Sequence, residues 1–385
     1  MSLPIYYKER RQTCLGFSGF SIYSMFKFFM LMMLGDMNMN INVNINVEGF
    51  KPLKNLYYPV VQSSTFFSSL RKPVRIEFFN KTFVAFKKSS NATLEMYCDV
   101  CPHMGASLSK GIIDNEGRLQ CPYHGISFSN GTIENGPCFI KDRKEIQLTK
   151  KWLNSVPYIE YGDMVWSKQK LRFQEGQKME EIIYPHLPPE HYDSQYRYVE
   201  GVTDIDQYQQ IVNENLLDML HISFVHSFGN RFTPIPIDLK YEAISEIAGR
   251  SSFIYSPNAL TISTKVGGVK SVLVENEFYL PSVTVTRVKA GEIIKTVWTS
   301  SLPLKGKKTR LFWRVYRNFW RDPVFSVGDV LGDWLVAYLM KRTLEEDKWI
   351  LGHVYENERF GPLRLKYDIT INKYRQAILN YQKKN

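Results

Sequence analysis

Between residues 50 and 168 apolar positions come in short runs broken by polar or turn-forming residues. Val74-Arg-Ile-Glu-Phe-Phe79, Thr82-Phe-Val-Ala-Phe86 and Asp163-Met-Val-Trp166 are examples. Runs of about five residues with polar breaks predict small β-strands, so this part reads as a small all-β domain. Lys168 to Lys178 has few groups to bury, and Pro185, Pro188 and Pro189 follow it, which marks connecting chain. Beyond it, over residues 169–385, longer periods enter: Val212 to Asn230 begins with a helical pattern and a long helix is predicted over Val330 to Glu358. Strands followed by helices predict an α+β chain. At 385 residues the chain exceeds the usual single core, which also favours two domains.

Residues 1–49 differ from the rest. Lys8, Arg10 and Arg11 precede an apolar run from Phe17 to Leu34, and Met37 to Val47 alternates Asn with Ile, Val and Met. The basic start and apolar middle fit a targeting or anchoring segment, through which the chain could associate with a membrane. Against this, the run is short for a span, Lys27 interrupts it, and no small-residue cleavage site follows. The alternation also fits a low-complexity linker, and Met37 or Met39 could be the start of the chain.

Composition narrows the classes. Hydrophobic residues at 44% and aromatic residues at 14% describe a globular protein. The net charge of +11 is scattered, without a long Lys/Arg run, which argues against nucleic acid and for a solvated surface able to attract an acidic protein partner. Five cysteines, an odd number, do not read as a secreted disulfide framework, so a reducing compartment is expected. The sequons at Asn80, Asn91 and Asn130 then read as chance matches.

The chemistry centres on Tyr97 to Phe128, which contains Cys101-Pro-His103 and, after a gap of seventeen residues, Cys121-Pro-Tyr-His124. Two thiolates and two imidazoles arriving on two loops fit a [2Fe–2S] cluster, the cysteines on one iron and the histidines on the other. Neutral imidazoles in place of thiolates raise the potential, which suits a relay. Zinc is the rival, but structural zinc usually pairs like ligands, whereas each loop here supplies one Cys and one His. Cys98 and Cys101 also form a C-x-x-C, readable as a redox dithiol or as a small buried residue beside the first loop. Gly105, Gly125 and Gly131 suit backbone that approaches the cluster closely or takes positive φ.

A second constellation lies in Val212 to Asn230, where Asp218, His221 and His226 stand as D-x2-H-x4-H. Asp218 and His221, three apart, would share a helix face. His226 is rotated roughly 140° from His221 on an ideal helix, so both reach one ion only if the helix ends or distorts between them, with Gly229 as terminator. A carboxylate would complete a facial triad for Fe(II). Glu345, Glu346 and Asp347 are candidates that spacing does not separate.

With both blocks in one chain, residues from Phe50 to Tyr381 resemble a Rieske non-haem iron oxygenase, the terminal α-type subunit of ring-hydroxylating and related systems. The N-x2-D-x2-H-x4-H block from Asn215 and the late Glu-Asp pair carry the likeness, with support from Pro157 to Trp166, Thr309 to Trp313 and Asp368 to Arg375. The resemblance implies a Rieske domain over residues 50–168 and a helix-grip-like catalytic domain over 169–385, an antiparallel sheet around a long helix. It implies Cys101, His103, Cys121 and His124 as cluster ligands, and His221, His226 and Asp347 as ligands of a mononuclear Fe(II). Asp218 matches the family's bridging aspartate between neighbouring subunits, which implies a homotrimer. O2 and an apolar aromatic, sterol-like or pigment-like substrate would meet at the iron for hydroxylation, demethylation or desaturation. Electrons would come from NAD(P)H through a separate reductase or ferredoxin, since no G-x-G-x-x-G fingerprint is present. Met104 and Ile126 depart from the Arg and Trp of many members. Tyr279, Phe278 and Trp313 are candidates to line the cavity. The alternatives are a Rieske electron-transfer protein with a ligand-binding second domain, and a zinc-stabilised lipid-binding protein.

Overall fold

The computed structural model describes residues 52–67, 71–89, 92–136, 149–168, 183–258, 268–321, 327–355 and 363–384. The N-terminal 49 residues, the polar passage after Lys168, Asn91, Cys14 and Cys138 therefore lie outside the described residues. Among those described, no helix is long and apolar enough to cross a membrane.

The short apolar runs form ten strands in three small antiparallel sheets. β1 (Tyr58–Gln62) pairs with the hairpin of β9 (Tyr158–Tyr161) and β10 (Met164–Ser167), and β2 (Val74–Phe78), β3 (Lys81–Phe86) and β4 (Glu95–Cys98) form a second sheet. The third contains β5 (Ile112–Ile113), β6 (Leu119–Gln120), β7 (Ser127–Ser129) and β8 (Thr132–Asn135). β2 turns into β3 through Phe79 and Asn80, both with positive φ, the geometry that keeps a tight hairpin's twist matched to its strands.

A seven-stranded antiparallel sheet dominates the rest, in the order β11-β17-β16-β15-β14-β13-β12. Its strands are β11 (Arg197–Ile205), β12 (Ile237–Ser245), β13 (Ala248–Tyr255), β14 (Val272–Tyr279), β15 (Val283–Ala290), β16 (Ile293–Pro303) and β17 (Thr309–Arg317). Because successive residues face opposite sides of a sheet, each strand serves two cores. On the outer face Val283, Val285, Trp298, Phe312 and Tyr316 share one cluster with Tyr58, Phe78, Phe83 and Trp166 of the small sheets. On the inner face Leu311, Trp313 and Val315 pack against helices.

After the small helix α1 (Ser64–Phe67), those helices are α2 (Gln209–Leu217), α3 (Ile222–Val225), α4 (Val327–Leu351) and α5 (Ile369–Lys384). α4 lays Val336, Met340 and Leu344 on the inner face, and α5 brings Tyr374 and Ala377 against Phe278 and Leu217. The architecture is the expected α+β one, a small β region beside an antiparallel sheet that carries a long helix. The helix expected to reach Glu358 stops at Leu351, where Gly352 breaks it and its N–H bonds back to the Lys348 carbonyl.

The aromatic residues expected at the cavity divide. Trp313 faces inward, but Tyr279 lies on the outer face stacked on His186 at 3.6 Å, and Phe278 is committed to Tyr374 and α5. Adjacent residues on a strand cannot line one wall, which is why Phe278 and Tyr279 separate.

Arg314 joins the two parts. Its side chain is buried on β17, and its guanidinium donates to Glu200 Oε2 at 3.0 Å, to the Gly162 carbonyl at 2.7 Å and to the Asp163 carbonyl at 3.3 Å, the last two in the β9–β10 turn. Arg314→Met should leave Glu200 Oε2 and the Gly162 carbonyl without a donor, while the Asp163 carbonyl keeps the Ser63 N–H at 3.0 Å. Breaking such a pair costs about 3–5 kcal/mol when both charges are buried, and the lower end applies because Glu200 keeps some solvent. A urea titration followed by tryptophan fluorescence should show the midpoint fall by a corresponding amount; an unchanged midpoint would show that Arg314 does not couple the parts.

Candidate metal centres

The first site is built from two loops with one backbone plan. In each, the cysteine N–H donates to the carbonyl five residues on, Cys101 to Ala106 and Cys121 to Ile126, both at 2.8 Å. In each, the glycine four residues on donates back, Gly105 to the Cys101 carbonyl at 2.9 Å and Gly125 to the Cys121 carbonyl at 3.1 Å. Both glycines have positive φ, 75° and 67°, so a side chain at either would be strained. The loops differ in one respect: the histidine stands two residues after Cys101 but three after Cys121.

This arrangement buries both sulfurs and leaves the imidazoles at the tip. Cys101 and Cys121 are each 2% exposed, and burial pushes the Cys101 thiol up, with the Cys121 side chain beside it adding to the shift. His103 Nδ1 lies 3.1 Å from His124 Nδ1. A sulfur pair facing a nitrogen pair is the donor set of a [2Fe–2S] cluster with two histidines on one iron. Cys98, read as buried if not a redox partner, is instead exposed and free: Tyr97 points into the core, so its strand neighbour must point out.

The second site lies where α2 ends. The helix stops at Leu217, and Asp218 is extended with φ −71° and ψ 130°. Asp218 and His221 therefore do not share a helix face as the spacing suggested. Asp218 Oδ1 accepts the Leu220 N–H at 2.8 Å, which turns the chain so that His221 opens α3 and His226 closes it. The break that one shared ion requires comes at His226, which leaves α3 in extended backbone at φ −85° and ψ 142°. Gly229, whose N–H donates to the His226 carbonyl at 2.9 Å, closes the segment.

Asp347, on α4, completes a triad whose ligand atoms all lie within 4.8 Å of one another. Its Oδ1 is 3.5 Å from His221 Nε2 and 3.6 Å from His226 Nε2. The opposite nitrogens are anchored: His221 Nδ1 lies 3.0 Å from the Asp218 carbonyl and His226 Nδ1 3.0 Å from Glu346 Oε2. Protons held there leave both Nε2 lone pairs free to face a metal. Desolvation pulls both imidazoles down; at His226 it prevails, whereas at His221 Asp347 and Asp218 together raise the pKa above its ordinary value.

The three late carboxylates thus separate by helix face. Glu345 turns outward to pair with Lys348 at 3.0 Å, Glu346 anchors His226, and Asp347 is buried at the triad, where Asn215 Nδ2 donates to its Oδ1 at 2.9 Å. The roles of Glu346 and Asn215 as holders of ligands escaped the sequence reading, although a 100° step per residue already implied that neighbours 346 and 347 could flank one imidazole.

A model of the Rieske [2Fe-2S] domain matches residues 57–152, and a model of the vanillate O-demethylase oxygenase C-terminal domain matches residues 206–382. No curated protein matches the chain by sequence. Solved structures with this fold include dicamba monooxygenase bound to dicamba, at 19% identity and a TM-score of 0.67, over 86% of this chain and 98% of that one. Another is NdmA of Pseudomonas putida CBB5 with caffeine, at 18% identity and a TM-score of 0.65, over 85% and 90% of the two chains. The two domain matches take in well over half of the chain, and the chain belongs to the Rieske non-haem iron oxygenases. It is an oxidoreductase with a [2Fe–2S] cluster and a non-haem iron as cofactors.

Proposed function

We propose that this chain is a terminal oxygenase acting on an apolar substrate, with oxidative demethylation favoured over hydroxylation and desaturation by its match to a vanillate O-demethylase oxygenase domain. The observation that carries the reading is the convergence of His221 Nε2 and His226 Nε2 on one Asp347 oxygen, in a chain that also holds the Cys101–His103 and Cys121–His124 loops. When bound, the cluster supplies electrons singly and the iron supplies O2 activation at open coordination positions. His221, His226 and Asp347 would hold the iron; Cys101, His103, Cys121 and His124 would hold the cluster.

The remaining roles belong to the protein. Asp218 and Glu346 orient the two imidazoles, and Asn215 fixes the Asp347 carboxylate. Asp218 would also bridge to a cluster histidine of a neighbouring subunit in a ring-shaped homotrimer. Exposed apolar residues support such docking: Val100, Met104 and Tyr123 lie in the cluster-loop segments, with the Tyr123 ring 3.9 Å from that of His124, and Phe224 and Phe228 lie in the segment of the mononuclear site, with Phe228 stacked on His226. The basic surface would receive an acidic reductase or ferredoxin drawing on NAD(P)H. In this reading residues 50–168 are the Rieske domain and 169–385 the catalytic domain.

Metal analysis of anaerobically purified protein, expressed with iron supplied, tests the proposal. About three irons and about two acid-labile sulfides per chain are expected, from one cluster plus one mononuclear iron. Two irons and two sulfides, unchanged after Fe(II) reconstitution, would leave an electron carrier instead.

A further inference from the structure

The two cluster loops repeat more than their backbone plan. Ser107 and Ser109 stand six and eight residues after the first cysteine, and Ser127 and Ser129 stand six and eight after the second. Two residues before each cysteine the loops part, for the first has Asp99 there and the second Leu119.

Asp99 is 3% exposed, nearly as deep as Cys101. Its Oδ2 accepts the Ser107 hydroxyl at 2.6 Å and the Ser109 hydroxyl at 2.7 Å, and its Oδ1 accepts the Ser109 N–H at 2.6 Å. All three partners are placed to donate, which suits an ionised carboxylate. The cation paired with it is Arg75 of β2, an exposed side chain whose Nη1 lies 3.4 Å from Oδ2 while its Nε serves Glu77 at 3.0 Å. Shared and solvated in this way, Arg75 balances the buried charge only in part.

Closing the loop does not require this charge. Cys121 and Gly125 make the same backbone bonds as Cys101 and Gly105, with the buried Leu119 in the place of Asp99. The serines of the second loop take other donors: Gln120 Nε2 reaches Ser127 Oγ at 3.4 Å, and Lys88 Nζ reaches Ser129 Oγ at 2.7 Å. Burying a carboxylate costs free energy that a neutral side chain would not, so the charge at the first loop has a use other than closure. A fixed negative charge beside a redox centre disfavours the incoming electron, and more so where little water intervenes.

We infer that Asp99 sets the reduction potential of the cluster: its buried charge lowers the potential, which makes the reduced cluster a stronger electron donor, and Arg75 opposes it. The inference needs the cluster alone and would hold equally in an electron carrier, so its failure and that of the oxygenase reading are separate. The test is a redox titration of the full, cluster-containing chain at fixed pH, with mediator dyes and without substrate, followed by the EPR signal of the reduced cluster. Asp99→Asn keeps an acceptor for the serines and removes the charge. It should raise the potential by the equivalent of about tenfold in the reduction equilibrium, or about 59 mV for one electron. Arg75→Met, at an exposed position, should lower the potential by a smaller amount. A loop merely loosened by either substitution would admit water and move both variants the same way, so the opposed signs separate charge from structure. An Asp99→Asn potential that stays or falls, or an Arg75→Met potential that stays or rises, would overturn the inference. If Asp99→Asn assembles no cluster, Arg75→Met decides alone by the same criterion.

Discussion

Asp347→Ala is expected to abolish substrate-dependent O2 consumption while leaving the EPR signal of the reduced cluster unchanged. Among the described residues Asp347 is the one carboxylate that both His221 and His226 face, at 3.5 and 3.6 Å, and it is 4% exposed. Without it the two imidazoles remain, anchored by the Asp218 carbonyl and Glu346, but the proposed iron site would lose its anionic ligand and its charge balance. Perturbing even an outer partner of a metal ligand costs about 10- to 100-fold in affinity or activity, so losing a direct ligand should exceed that. The cluster loops share no ligand with α4, so their spectrum serves as the internal control. Retained turnover would remove Asp347 from the ligand set and reopen the choice among the three late carboxylates.

Gly229→Ala should have a comparable effect from outside the ligand set. A Cβ at Gly229 would lie 2.1 Å from the Ile222 carbonyl oxygen and 2.8 Å from Ser223 Cα, both backbone atoms of α3 between the two histidines. No side-chain rotation relieves such contacts, so the α3 segment and the turn at His226 must part. A metal site tolerates displacements of only about 0.5 Å, and the rings of His221 and His226 now sit with centroids 5.0 Å apart. The variant should purify with its cluster intact and its mononuclear iron missing, near two irons per chain rather than three. Normal iron content would show that α3 moves as a unit.

The small strands were legible because each run of apolar residues ends at a turn residue, and local backbone preference and burial agree there. The cluster loops were legible because all four proposed ligands fall within 24 residues, two per loop, and the glycines that close each loop are part of the motif. The mononuclear site was half legible. His221 and His226 are local, but the spacing suggested a helix through Asp218, whereas α2 stops before it and α3 ends at an extended His226, which brings the two rings together.

The sequence by itself determined the donor types, the two Cys–His loops, and the need for a helix end between His221 and His226, because these depend on neighbours along the chain. Only the tertiary structure decided that Asp347 rather than Glu345 meets the histidines, that Glu346 holds His226, and that Tyr279 faces away from the inner wall. Those outcomes depend on which face of α4 meets α3 and on the register of seven strands. Such contacts join residues more than a hundred positions apart, and local periodicity carries no information about them.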